Sequence, residues 1–122
     1  MPLVKASHAK EPSVGTLVAA VRETLDEYQA NDIVCLDIAG RTAFADFMVI
    51  ASGRSRMHVG ALRDHLLRRL KELGAGRVQV EGGTRCDWVL IDGGGVWVNL
   101  FHPEIREFYN LEKLWSSEAP TD

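Results

Sequence analysis

Asp46-Phe47-Met48-Val49-Ile50-Ala51-Ser52-Gly53-Arg54-Ser55-Arg56-Met57-His58 is the stretch whose reading decides the fold. Its apolar run is too short for a helix and stops at Ser52-Gly53, and an amphipathic pattern begins at once. A buried strand therefore feeds a helix through a very short connection, the unit from which α/β layers are built. Junctions of this kind set helix-start N–H donors at the end of a strand, where α/β proteins often bind ligands.

Upstream, Ser13 is placed to cap a helix in which Val14, Leu17, Val18, Val21, Leu25 and Tyr28 repeat at helical spacing, ending near Ala30-Asn31. Residues 33–38 read as a β-branched, nearly continuous apolar strand. Ala39-Gly40-Arg41 is the turn before a second strand at 47–51. Downstream, the helix runs over about 55–73 with Val59, Leu62, Leu66, Leu70 and Leu73 as its buried stripe. Gly74 ends it, with Arg68, Arg69 and Lys71 near the negative end of its dipole. Three short strands follow at 78–81, 88–92 and 96–101, and Gly93-Gly94-Gly95 is a hairpin signal between the last two. Pro103 suits the first turn of a short helix over 104–109, followed by a turn around 111–115. This order predicts an α/β fold, a two-layer domain with a mixed sheet of about five strands flanked by helices. Residues 1–12 read as a flexible lead-in, 13–116 as a single domain and 117–122 as a polar tail.

At 122 residues the chain is long enough for one core and too short for two. Its 46% hydrophobic and 25% charged residues are those of an ordinary soluble globule rather than a disordered tail. A formal net charge of −3 argues against gripping nucleic acid by bulk charge. The charges are unevenly spread. Arg54, Arg56, Arg63, Arg68, Arg69, Lys71, Arg77 and Arg85 crowd the middle, and Glu23, Asp26, Glu27 and Asp32 the N-terminal third. A polarised surface suited to a charged partner is expected. Cys35 and Cys86 lie far apart in apolar contexts and read as reduced thiols of a cytosolic protein. No apolar run approaches membrane-spanning length and no signal-peptide core is present, so a soluble cytoplasmic protein without a membrane partner is expected.

The last two strands alternate sharply. Trp88, Leu90 and Asp92 share one face, opposite Val89 and Ile91; Trp97, Asn99 and Phe101 share one face, opposite Val96, Val98 and Leu100. The β-branched faces are expected to pack on helices. The faces with Trp88, Trp97 and Phe101 then have two readings: partly exposed aromatics of a protein interface, or rings that complete a second core layer. Other candidate chemistry is thin. His58 and His65, seven residues apart on the long helix, lack the further ligands a metal requires and read as solvated or capping residues, and His102 reads as a surface residue. Ser52-Gly53-Arg54-Ser55 lacks the glycines and Lys-Ser/Thr pair of a phosphate loop and reads as a capped turn. Asp37, Asp46, Asp87 and Asp92 include no Asp-x-Asp pair to hold magnesium, no Gly-x-Ser-x-Gly elbow is present, and Cys35 falls within a strand. No cofactor and no catalytic residue is expected. The Arg-rich helix leaves an RNA-binding reading open, and a nucleotidyl-transfer enzyme is the other alternative.

Taken together, these blocks resemble the ribosomal silencing factor family, also called RsfS or Iojap. The family pattern is a strand ending in Asp, then Asp-aromatic-aliphatic-Val/Ile-Ile-Ala-Ser/Thr-Gly, a Ser and a His starting the long helix, Glu-Gly, an Asp-Trp strand, and Arg-x-Phe-Tyr-x-Leu-Glu-x-Leu-Trp. Here these are Asp37, residues 46–53, Ser55 and His58, Glu81-Gly82, Asp87-Trp88 with Asp92, and residues 106–115. The resemblance implies a nucleotidyltransferase-like fold without the metal-binding carboxylates. It implies a bacterial, non-enzymatic factor that binds the large ribosomal subunit through that subunit's ribosomal protein fourteen. Bound there, such a factor blocks joining of the small subunit and represses translation when nutrients are scarce. It also implies a homodimer, and it allows a peripheral contact with ribosomal RNA. Carried over by position, the partner-binding residues are Glu81, Asp87, Trp88, Asp92, Trp97, Asn99, Phe101 and Tyr109. Trp88 is then the aromatic anchor, and Asp87 and Glu81 are the acids that meet basic residues. The chain departs from the pattern at Gly95, Asn99 and Met57, where the family commonly has Asp, His and Arg.

Overall fold

Residues 12–82 and 85–103 are described by the computed structural model. The helix expected over 104–109 with Tyr109, the turn around 111–115, the polar tail and residues 1–11 of the lead-in lie outside the described residues. The elements run α1 (Val14–Glu27), β1 (Asn31–Asp37), β2 (Ala45–Ser52), α2 (Arg56–Glu72), β3 (Gln79–Glu81), β4 (Trp88–Asp92) and β5 (Gly95–Phe101). They form the expected two-layer α/β domain with an open, mixed five-stranded sheet in the order β1-β2-β5-β4-β3. The central β2–β5 pair is parallel and the other pairs are antiparallel.

Local chemistry sets the helix limits. The Ser13 hydroxyl accepts the Thr16 N–H at 3.1 Å and caps α1; the Ser55 hydroxyl accepts the His58 N–H at 3.1 Å and caps α2. Each helix closes with the same pair of reversed bonds. Gly74 N–H donates to Lys71 and Ala75 N–H to Leu70; Gln29 N–H donates to Asp26 and Ala30 N–H to Leu25. Gln29 takes the left-handed conformation at φ 65° to do so, which brings the chain straight into β1. The first strand accordingly begins at Asn31, earlier than its β-branched run suggests, and bears an irregularity between Asn31 and Val34. Such an irregularity on an edge strand discourages pairing with a second sheet.

Both helices lie on one face of the sheet. Leu17, Val21 and Leu25 of α1 and Val59, Leu62, Leu66 and Leu70 of α2 pack on Val49, Ala51, Val89, Ile91, Val96, Val98 and Leu100. The β-branched faces of β4 and β5 thus meet the helices, as their alternation requires. The opposite face carries a smaller cluster of Ile38, Ala45, Met48, Ile50 and Phe101, with Leu36, Trp88 and Trp97 partly buried against it. A short β4–β5 hairpin joins the two strands that carry most of the expected site. The Asp92 carboxylate accepts the Gly94 N–H at 3.1 Å and shapes that turn. Gly95, at φ 105°, lies where a side chain would press into Val14. Backbone conformation and packing on α1 both favour glycine there.

Candidate functional site

The sheet face away from the helices is built in rows by strand register. Trp88 lies opposite Phe101; Leu90 stands between Asn99 and Glu81; Asp92 stands between Trp97 and Gln79. These residues belong to the face predicted from alternation, but the structure treats them unequally. Phe101 is 0% exposed and Asn99 1%, so both belong to the second core layer, whereas Trp88 and Trp97 are half-buried. The expectation of an exposed face therefore needs correction at Phe101, a ring that the Ile38–Met48–Ile50 cluster encloses. The core reading holds for Phe101, while Trp88 and Trp97 keep part of their surface exposed.

Trp88 is held from two directions. Its ring stacks on Phe101 with centroids 5.1 Å apart and planes 29° apart, and its indole N–H donates to the Asn99 side-chain oxygen at 2.8 Å. These partners come from the adjacent strand, directly opposite and one diagonal step away, which is how cross-strand pairs orient side chains. Beside the indole, Glu81, Gly82, Trp88 and Leu90 line a depression of about 240 Å³. Gly82 sits at φ 77°, where an added side chain would run into the Trp88 carbonyl, so the depression depends on glycine at this edge. Among the described residues no ion pair engages the exposed Glu81 carboxylate. A half-buried aromatic wall, an aliphatic floor and an unneutralised acid suit a basic side chain with an aliphatic stem.

Asp87 occupies a different place. It precedes β4 on the register of Val89 rather than Trp88, and its carboxylate pairs with Arg56 at 2.5 Å and Arg85 at 3.2 Å. With two cations of its own chain, Asp87 ties the start of α2 to β4 instead of standing free beside Trp88. Asp92 is likewise occupied in the hairpin turn. Asp37 accepts the Ala39 N–H at 3.0 Å, so three of the four candidate carboxylates perform local structural tasks. Described residues hold no group of three or more His, Cys, Asp or Glu arranged for a metal ion. They also hold no helix long and apolar enough to cross a membrane.

The helix side contains a feature that no sequence signal announced. His58 Nδ1 accepts the Arg54 N–H at 2.9 Å, and Nε2 lies 2.9 Å from the Tyr28 carbonyl. An N–H must meet an acceptor and a carbonyl a donor, so these contacts fit the tautomer that carries its proton on Nε2. His58 thereby pins the end of α1 to the β2–α2 turn. His65 stacks on Tyr28 with centroids 3.6 Å apart, a second link between the helices. Among the described residues Cys35 and Cys86 form no disulfide, and burial pushes the Cys35 thiol above its ordinary pKa.

The family model described as "Ribosomal silencing factor during starvation" (RsfS) matches residues 10–122. A Zymomonas mobilis protein named "Ribosomal silencing factor RsfS" is 43% identical over 106 residues, spanning 87% of this chain and 80% of that protein. A Haemophilus influenzae protein of the same name is 37% identical, spanning 82% of this chain and 98% of its own length. A crystal structure of a Chromobacterium violaceum protein superposes with a TM-score of 0.83 at 32% identity, covering 90% of this chain and 92% of that one. The order of motifs, the sheet that carries them and these relatives agree, and the chain belongs to the ribosomal silencing factor family.

Proposed function

We propose that this protein binds the large ribosomal subunit through that subunit's ribosomal protein fourteen and blocks joining of the small subunit by occupying the joining face. The observation that carries the reading is Trp88, an indole fixed by Phe101 and Asn99 beside the Leu90 floor and Glu81, which is unpaired among the described residues. Aromatic side chains held rigid at the centre of a patch are the usual anchors of protein interfaces, since they cover large area at little entropic cost. Glu81 beside the ring favours a partner that offers Lys or Arg, which a ribosomal protein supplies in abundance. Mechanistically the action is steric exclusion in the bacterial cytoplasm, with no bond made or broken. The nucleotidyl-transfer alternative loses support because Asp37, Asp87 and Asp92 are engaged in turns and ion pairs.

The test is co-sedimentation with isolated large and small subunits, each at two salt concentrations, together with a subunit-joining assay. Salt-tolerant binding to large subunits alone and failure of the subunits to join are expected. Trp88→Ala should leave the domain folded and weaken binding by about thirtyfold or more, the scale of an interface hot spot. Binding to neither subunit, or unchanged binding by the variant, would defeat the reading.

A second observation concerns RNA. Arg56 and Arg85 share the single carboxylate of Asp87 and remain 62% and 79% exposed, which leaves positive charge near the start of β4. A peripheral contact with ribosomal RNA would appear as a salt-dependent fraction of the affinity that Arg85→Ala reduces. Self-association into a homodimer is the remaining part of the proposal. Sedimentation equilibrium over a range of concentrations decides whether it competes with the ribosome.

A further inference from the structure

Asn99 is an unexpected occupant of its position. It is 1% exposed, in the middle of β5, with Ile50 opposite on β2 and Leu90 opposite on β4. An apolar side chain would fill such a place without desolvating an amide. Its side-chain oxygen accepts the Trp88 indole N–H at 2.8 Å. Because an indole nitrogen only donates, this bond fixes which end of the amide faces the ring. Among the described residues the amide nitrogen is then left buried with no hydrogen-bond partner. A buried donor without an acceptor is destabilising, so Asn at this point weakens the sheet interior it occupies. What it provides, and an aliphatic residue lacks, is an acceptor aimed at Trp88.

The ring also stacks on Phe101. Stacking limits the tilt of an indole but leaves it free to adopt either χ2 rotamer, which turns the ring over. A hydrogen bond at one edge removes that freedom and selects which edge of the ring faces outward. We propose that Asn99 is a positioning residue for recognition: it locks the Trp88 indole in the orientation the partner meets, at the expense of an unpaired buried donor. The proposal rests on the reading of Trp88 as the partner anchor. It adds a residue that touches no partner yet sets affinity through another side chain.

The experiment combines three variants with two readouts. Asn99→Leu keeps the branching of the side chain and removes both amide groups. Asn99→His restores a ring nitrogen able to accept. Trp88→Phe keeps a stacking ring and removes the donor. Hydrogen exchange of the Trp88 indole N–H, identified by its loss in Trp88→Phe, should be slow in the unaltered protein and at least about tenfold faster in Asn99→Leu. Large-subunit affinity should fall about tenfold in Asn99→Leu and recover in Asn99→His, with the melting temperature of each variant recorded alongside. Combining Asn99→Leu with Trp88→Phe should cost no more than the larger single change, since both remove one bond.

Wild-type affinity in Asn99→Leu, while Trp88→Ala loses binding, would overturn the positioning role. So would unprotected exchange of the indole N–H in the unaltered protein, a readout that stands even where Asn99→Leu fails to fold. Additive losses in the combined variant count the same way. If Trp88→Ala itself binds as tightly as the unaltered protein, the anchor reading has failed instead, and the two failures are distinguished.

Discussion

Glu81 and Asp87 show how one residue's role turns on its neighbours. Both were expected as acids that meet a basic partner. Asp87 is 20% exposed in its side chain and already lies between two guanidinium groups, so its charge is spent inside the molecule. Glu81 is exposed, unpaired among the described residues and adjacent to the Trp88 ring. The difference was partly legible in the sequence. Strand alternation starting from Trp88 assigns position 87 to the helix side, whereas position 81 joins the face of Leu90 only through the β3–β4 register that the fold sets. The cations that claim Asp87 were not legible, because Arg56 reaches it from a helix far away in the chain. Glu81→Lys should therefore weaken large-subunit binding about tenfold or more by setting like charges together, with unchanged thermal stability. Surface plasmon resonance on immobilised subunits checks this, and an unaltered association rate and affinity would remove Glu81 from the interface.

At the scale of elements, the connection between α1 and α2 depends on a histidine. Sequence reading gave His58 a capping or solvated role, and it does neither in the simple sense: its own backbone N–H is capped by Ser55, while its ring bridges Arg54 and Tyr28. Nothing in the pattern foretells a bond to a carbonyl on another helix, since that acceptor exists only once α1 ends at Tyr28. Removing the ring leaves the Arg54 N–H and the Tyr28 carbonyl to find other partners. His58→Ala should destabilise the domain by about 1–3 kcal/mol, the scale of two lost hydrogen bonds at a partly buried site. Urea unfolding followed by circular dichroism measures it; a change below about 0.5 kcal/mol, the scale of an ordinary surface substitution, would show that water replaces both bonds.

The whole molecule divides its labour across the sheet. One face carries the main core with both helices, and the other carries Trp88, Trp97 and the depression at Glu81. On the proposed function, stability and recognition are therefore separable to a useful degree. Leu66, fully buried between α2 and the sheet, lies on the stabilising side. Leu66→Ala should cost about 2–5 kcal/mol, by lost burial and the cavity left behind. The fraction that remains folded should bind large subunits with unchanged affinity. Thermal denaturation together with binding measured well below the transition tests both halves. Loss of affinity in fully folded protein would mean that the helix layer transmits strain to the Trp88 face.

The sequence by itself determined the order of elements, the caps at Ser13 and Ser55, the two-layer class and the side of the sheet to which each residue of β4 and β5 belongs. Those properties follow from periods of two and 3.6 residues and from short-range hydrogen bonds, all of which are local. Tertiary structure alone decided that Phe101 and Asn99 are buried while Trp88 stays half-open, that Asp87 is neutralised by Arg56 and Arg85, and that His58 joins two helices. Period assigns a face, but the depth of a residue on that face is set by which strand lies beside it. Here the decisive neighbour is β2, brought parallel to β5 from the other half of the chain.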